Sequence, residues 1–422
     1  MFARIAVVTL SVLALARSAA AEPAPAVLSL SAASERASRL SPLLGPRRAA
    51  VHGAQGVEHA ADTLVALPPR IDVAAGSRWR ASPGELGPEI SVSVMQELSL
   101  GGYGRSRERY ARALTRGARA DLTVAVEDAR TAAALSWVEA RLARESVRIM
   151  TDSLEQTEGL ERVAASRVAV GRASPAELAL TQALVGNAQA DLLAAQGRSF
   201  VADASLRYLT ALPANTPLEL AGSLDAPAGE LDRVSVLRQA HGVQPDRQAA
   251  RRAVERATSA AEMVAAGGKP LLALGPSVTH EATGDWILLI RVGIPLPLVN
   301  PAGVEASRLR LDADVAAAAE RYVESTLEHE VLLALEERTH ARELAKLLGD
   351  SVVGAAAEAL RLAVLQYEAG KIDFAAALAA RRELLAAEHR RAQAAADVRR
   401  ADIRLARLLG HTPENSEEGP LP

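Results

Sequence analysis

Apolar positions recur at steps of three and four through residues 102–170 and again through 301–369. Such a period marks very long amphipathic helices. In the second stretch Leu344, Leu348, Val352, Ala355, Ala359 and Leu362 carry the step straight past Gly349-Asp350-Ser351. That helix is therefore predicted to be continuous, with Gly349 costing about 1 kcal/mol relative to Ala. At ~1.5 Å per residue each rod is about 100 Å long. Returning helices follow over 174–210 and 372–409. Gly171 and Gly370 suit the left-handed residue that closes an outgoing helix. Ser174 and Asp373 suit the caps of the returning ones, with Pro175 at a first helical position.

A period of two marks shorter stretches. Ile90, Val92, Val94, Leu98 and Leu100 alternate with Ser91, Ser93, Glu97 and Ser99, so 90–100 reads as a strand. It follows 71–80 through Ser82-Pro83-Gly84, giving a β-hairpin over 71–100. A second hairpin over 271–295 turns at Thr283-Gly284-Asp285, its run from Trp286 to Ile290 being solidly apolar. Ahead of each hairpin a helix is predicted. One covers 34–66 and is stopped by Pro68-Pro69; the other covers 235–266 and is stopped by Gly267-Gly268-Lys269-Pro270.

A constant offset of 199 relates the two halves: Pro46 to Pro245, Gly102 to Pro301, Gly171 to Gly370 and Leu209 to Leu408. The chain then divides into a first repeat at 22–213, a Pro- and Gly-rich linker at 214–232, a second repeat at 233–413 and an acidic tail at 414–422. Each repeat reads helix, β-hairpin, long helix, helix. Residues 1–21 stand apart, with Arg4, an apolar run from Ile5 to Ala16, and Ala19-Ala20-Ala21 before Glu22. That order is a secretory signal peptide.

Composition narrows the function. Only 3% of residues are aromatic and Ala is abundant, which favours helical rods over a wide globular core. A net charge of −3 lacks the basic excess of a nucleic-acid surface. With no Cys there are no disulfides, no thiol nucleophile and no acylated N-terminal Cys, so no lipoprotein anchor. No uninterrupted apolar stretch reaches about 18 residues, so no transmembrane helix is predicted. Catalytic, cofactor and metal sites are not expected. His329 and His340 are about 16 Å apart along their helix. Glu336 and His340 read as a charged, solvated face. Gly102-Tyr103-Gly104 lacks the Lys of a phosphate loop and reads as a strand-to-helix junction.

Four strands in an exported chain raise the question of closure. Alternating strands of this length suit a transmembrane barrel, which needs at least about eight strands. Several chains would then share one barrel. The other reading is small soluble hairpins capping helical bundles, as in a periplasmic coiled-coil scaffold or adaptor.

Taken in order, certain stretches resemble the outer membrane efflux protein (TolC) family, most closely its CzcC-type heavy-metal branch. They are Val170-Gly171-Arg172-Ala173-Ser174-Pro175-Ala176-Glu177-Leu178, Tyr367-Glu368-Ala369-Gly370-Lys371-Ile372-Asp373, the junctions 98–102 and 293–300, and Leu408-Leu409-Gly410. The resemblance spans residues 34–413. It implies a mainly α fold with a small β part: duplicated antiparallel helical hairpins forming an α-barrel, plus four transmembrane strands per chain. Three chains would pool these strands into one 12-stranded β-barrel in outer-membrane lipid.

The function it implies is the passive exit duct of a tripartite efflux system, with a type I secretion duct as an alternative. A periplasmic adaptor would dock at the tips, at Gly171, Arg172, Ser174, Gly370, Lys371 and Asp373. An inner-membrane exporter of the RND type would supply the cargo. Where relatives often carry acids six and nine positions after the second tip glycine, this chain has Ala376 and Ala379. Glu177 and Asp373 remain as candidate entrance charges. They equally suit a first-turn acid and a helix cap. The aromatic girdle of such barrels would fall to Trp79, Tyr103 and Trp286.

Overall fold

The computed structural model describes residues 25–62, 67–78, 87–99, 101–225, 232–240, 244–294 and 302–410. The leader at 1–21, Trp79, the junction 295–300 and the tail 414–422 lie outside them. In chain order the elements are β1 (Ala26–Leu28), α1 (Leu30–Leu40), a 3-10 turn (Pro42–Leu44), α2 (Gly45–Ala61), β2 (Arg70–Arg78), β3 (Gly87–Ser99), α3 (Tyr103–Ala169) and α4 (Pro175–Leu209). Then come β4 (Leu218–Leu220), α5 (Arg233–Ala240), α6 (Pro245–Gly267), β5 (Leu271–His280), β6 (Trp286–Gly293), α7 (Ala302–Leu347), α8 (Asp350–Glu368) and α9 (Phe374–Leu409).

The first rod is unbroken for 67 residues. The second is not, which corrects the continuous helix predicted for 301–369. Gly349 takes φ −56 and ψ −172, and α7 and α8 meet there at a break. Glycine loses the most backbone freedom in a helix, and the Asp350-Ser351 that follows favours a fresh N-terminus. Both pieces pack on α9, but the residues that carry the apolar period, among them Leu344, Val352, Ala355, Ala359 and Leu362, are exposed, and the face of α8 turned to α9 is instead Ala356 and Leu360.

Two shorter helices are also divided, each at a proline. The helix expected over 34–66 breaks after Leu40, where Ser41 is extended at ψ 133 ahead of Pro42. The one expected over 235–266 is split into α5 and α6, with Gln244 extended at ψ 129 ahead of Pro245. A residue before proline is driven out of the helical region. The segment read as a linker, 214–232, holds β4, which pairs in parallel with β1 from Ala26↔Leu218 to Leu28↔Leu220.

β2, β3, β5 and β6 form one antiparallel sheet in that order. The helices repeat the sequence, since α2 lies on α3, α3 on α6 and α6 on α7. Ion pairs lace this layer: Arg109–Glu262 at 3.1 Å, Arg247–Glu324 at 3.0 Å, and Arg407 with both Asp128 and Asp246 at 2.8 and 2.7 Å. Further from the sheet the order is α4, α3, α9, then α7 and α8.

A belt at mid-height forms the largest apolar core. Leu28, Trp137, Val138, Leu206, Leu218, Ala396 and Ile403 meet there. Trp137 is 1% exposed, and its Nε1 donates to the Leu28 carbonyl at 2.9 Å. Arg399 fastens the connecting segment by donating to the Ser223 and Leu224 carbonyls at 3.0 and 3.2 Å.

Candidate functional site

Two regions have functional geometry: the four-stranded sheet and the far ends of the helical hairpins. In the sheet, one transverse row is Val73, Val92, Val278 and Leu288. The adjacent row, on the opposite face, is Asp72, Ser93, Ser277 and Leu289. Successive residues of a strand point to opposite faces, so one face is apolar and the other largely polar. Burial is inverted relative to a soluble protein. Val73 and Leu288 are 67% and 74% exposed, whereas Ser93 and Ser277 are 5% and 1% exposed. Among the described residues β2 and β6 each have a neighbour on one side only, so both edges of the sheet are unpaired there. At the end remote from the helices, Arg78 of β2 ties β3 and the turn after β5 on the polar face. It meets Glu89 at 3.2 Å and Glu281 at 2.9 Å.

The two hairpin tips share one backbone design. Gly171 and Gly370 have φ 70 and 71. Beyond each, Arg172 N–H donates to the Arg167 carbonyl and Lys371 N–H to the Gln366 carbonyl, both at 2.8 Å. These are Schellman closures, which need the left-handed residue that glycine supplies. Ser174 then accepts from Glu177 N–H at 3.3 Å, and Asp373 accepts from Ala376 N–H at 2.9 Å. Arg172, Ser174, Lys371 and Asp373 are exposed around the tips.

The tips are tied to each other by residues that periodicity did not single out. Arg167 stacks over the Tyr367 ring with its guanidinium carbon 4.3 Å from the centroid. It also donates to the Tyr367 carbonyl, and to the Arg172 carbonyl at 3.1 Å. The Tyr367 hydroxyl donates to Glu177 at 3.3 Å. Burial first, and then the Glu177 charge, push the Tyr367 phenol up from its ordinary value and keep it a donor. Leu160, Tyr367, Phe374 and Leu378 pack beneath this tie. Glu177 is therefore a bonded bridge between hairpins and Asp373 a helix cap. Ala376 and Ala379 are exposed. The only sequence signal for the tie was position: Arg167 and Tyr367 each lie one turn before a tip glycine.

Above the tie α3 and α8 part, leaving a groove of about 520 Å³ lined by Gln156, Leu160, Val163, Leu360 and Val364. Among the described residues no three His, Asp or Glu side chains gather in a metal-holding group. Glu336 lies 3.8 Å from Arg233. No described helix is long and apolar enough to cross a membrane.

The chain matches no protein-family model. It is 29% identical over 346 residues to the cobalt-zinc-cadmium resistance protein CzcC of Cupriavidus metallidurans, covering 78% of this chain and 77% of that one. Its fold is that of the outer-membrane channel OprN, with TM-score 0.74, 19% identity, and 90% and 89% of the two chains covered. The outer membrane protein VceC of Vibrio cholerae superposes with TM-score 0.72 at 18% identity, covering 91% and 97%. The chain thus has the outer-membrane channel fold and is similar in sequence to a CzcC, which bears out the resemblance to the outer membrane efflux protein (TolC) family.

Proposed function

We propose that the protein is the outer-membrane exit duct of a tripartite efflux system. The observation that carries this reading is the sheet, apolar outside, polar on its hidden face and unpaired at both edges. In lipid every backbone donor and acceptor must be paired, so four strands close only by joining those of other copies. Three copies supply twelve strands, and the helical layers continue as a tunnel into the periplasm. Each half of the chain, 22–213 and 233–413, is one copy of a duplicated unit, and 1–21 is the exported leader.

Cargo reaches the tunnel from an RND-type inner-membrane exporter through a periplasmic adaptor docked on Gly171, Arg172, Ser174, Gly370, Lys371 and Asp373. The similarity to CzcC favours metal cations as cargo. The duct performs no chemistry on what it conducts, and Glu177 and Asp373 bias the mouth toward cations. Membrane fractionation tests the reading as a whole. A heat-labile oligomer in the outer membrane is expected, and a monomer free in the periplasm overturns it. For the mouth, Glu177→Ala with Asp373→Ala is expected to lower cation preference in planar-bilayer recordings. Unchanged reversal potentials remove these two residues from that role.

A further inference from the structure

One face of α3 is patterned in steps of seven. Arg105, Arg112 and Arg119 lead by that step to Val126, Ala133 and Ala140, and Arg109 and Arg116 lead to Thr123, Arg130, Trp137 and Arg144. Seven residues are two turns less about 20°, so these positions drift slowly across one side of the helix. The part remote from the sheet is covered by the chain itself. Ser34 of α1 donates to the Arg130 carbonyl at 3.3 Å, Trp137 donates to Leu28 of β1, and Arg144 donates to the Leu218 carbonyl of β4 at 2.9 Å. Toward the sheet that cover stops, and Arg105, Arg109, Arg112, Arg116 and Arg119 are all exposed. Their charge is unbalanced. Glu262, Glu108 and Glu255 engage Arg109, Arg112 and Arg116. Among the described residues no carboxylate pairs with Arg105 or Arg119.

α9 brings an acidic segment to the same side. Ala396 and Ile403 reach the core around Trp137, and the next step of seven is Gly410. Gly410 turns left-handed at φ 72, and α6 begins beside it, where Gln244 Nε2 donates to the Leu408 carbonyl at 3.4 Å. Beyond the described residues the sequence continues His411-Thr412-Pro413-Glu414-Asn415-Ser416-Glu417-Glu418. Arg407, just before Gly410, is level with Asp128 of α3, which it meets at 2.8 Å. From Asp128 the residues Arg119, Arg116 and Arg112 lie ~14, ~18 and ~24 Å toward the sheet at ~1.5 Å each. An extended chain covers ~3.4 Å per residue, so Glu414 reaches ~14 Å and Glu417 and Glu418 reach ~24–27 Å from Gly410.

We propose that the uncovered arginines of α3 are the seat of this acidic segment. Residues 411–418 leave α9, run toward the sheet along α3, and set Glu414, Glu417 and Glu418 among Arg119, Arg116 and Arg112. The occupant is a segment of the same chain because its sign, its reach and its point of departure match the bare stretch. The exposed pairs that Arg112 and Arg116 already make are weak and open to exchange. The strap continues the cover begun by α1, β1 and β4 and ties the last helix to the first repeat. It does not depend on the duct reading.

The absence of cysteine gives a clean test by disulfide trapping. Arg116→Cys with Ser416→Cys leaves Arg112, Arg119 and the three carboxylates in place. The purified full chain is oxidised briefly at low salt, and the link is located by peptide mass spectrometry. A bridge needs Cα atoms within about 7 Å. The expected result is a link within one chain whose rate of formation falls about fivefold or more when Glu414→Gln, Glu417→Gln and Glu418→Gln are added. Those three changes touch no helix, so the fold is the same in both samples. High salt is expected to slow the original pair in the same way. A link that forms equally fast without the carboxylates reports a tethered segment passing at random and overturns the proposal. No link in the original pair, or a link that joins two chains, overturns it as well.

Discussion

The sheet and the mid-height belt are built from similar residues under opposite rules. In the belt Trp137, Leu206 and Ile403 are hidden among other apolar side chains. In the sheet Ile71, Ile90 and Ile290 are 67%, 50% and 77% exposed while serines are hidden. One chain therefore has parts suited to two solvents. The polarity of the hidden face distinguishes them, because exposed apolar residues alone are common on soluble proteins.

Substitutions sharpen that contrast. The largest effect is expected at the belt. Trp137→Ala removes a fully buried ring and the donor to Leu28, at a cost of about 3–5 kcal/mol. Thermal unfolding of the detergent-extracted protein reads it, and an unchanged midpoint would contradict the belt as principal core. Next comes the sheet, where Val92→Lys costs ~2–4 kcal/mol if the side chain meets hydrocarbon. Oligomer recovered from the outer membrane should fall sharply, whereas Ser93→Ala on the opposite face should leave it intact. Equal tolerance of both changes breaks the contrast.

Smaller effects belong to the helices. Tyr367→Phe removes the hydroxyl bonded to Glu177, worth about 1 kcal/mol, and keeps the ring under Arg167. Longer-lived open events in planar-bilayer recordings are expected, and an unaltered open time would show that the tie does not restrain the mouth. The smallest effect is at Glu388. Burial pushes its carboxyl up, Arg148 pulls it down, and Asp152 and Glu145 push it up again. Arg148 is already engaged by Glu145 and Asp152 at 2.8 and 2.6 Å. A raised carboxyl favours the folded state when protonated, so its contribution is complete in acid and lost as pH rises through the folded value. Glu388→Gln should raise the melting midpoint slightly at neutral pH and lose that advantage on acidification. A gap that widens in acid would reverse the assignment.

Much of this architecture is legible in the amino-acid sequence. Period three-to-four gave the rods, period two gave the strands, and the offset of 199 aligned Gly171 with Gly370, whose φ values are 70 and 71. Breaks were harder to read. Pro42 and Pro245 lie within favourable helical composition, and their effect falls on the preceding residue. The break at Gly349 is not legible because the apolar steps from Leu344 to Leu362 run across it, and those residues are largely exposed, so the stripe reports neither the buried side nor the regularity of the backbone. The bond from Tyr367 to Glu177 spans 190 residues, so no local pattern announces it. The polar face of the sheet was readable at Ser91 and Ser93 but not around Leu289, where both faces are apolar.

The parallel pairing of β1 with β4 has a consequence for biogenesis. Leu28 near one terminus, Leu218 at the centre and Ile403 near the other terminus all contribute to the shelter around Trp137. A chain threaded into the periplasm with its beginning first cannot finish that shelter until α9 has emerged. Until then the Trp137 indole and the first short strand lack part of their cover.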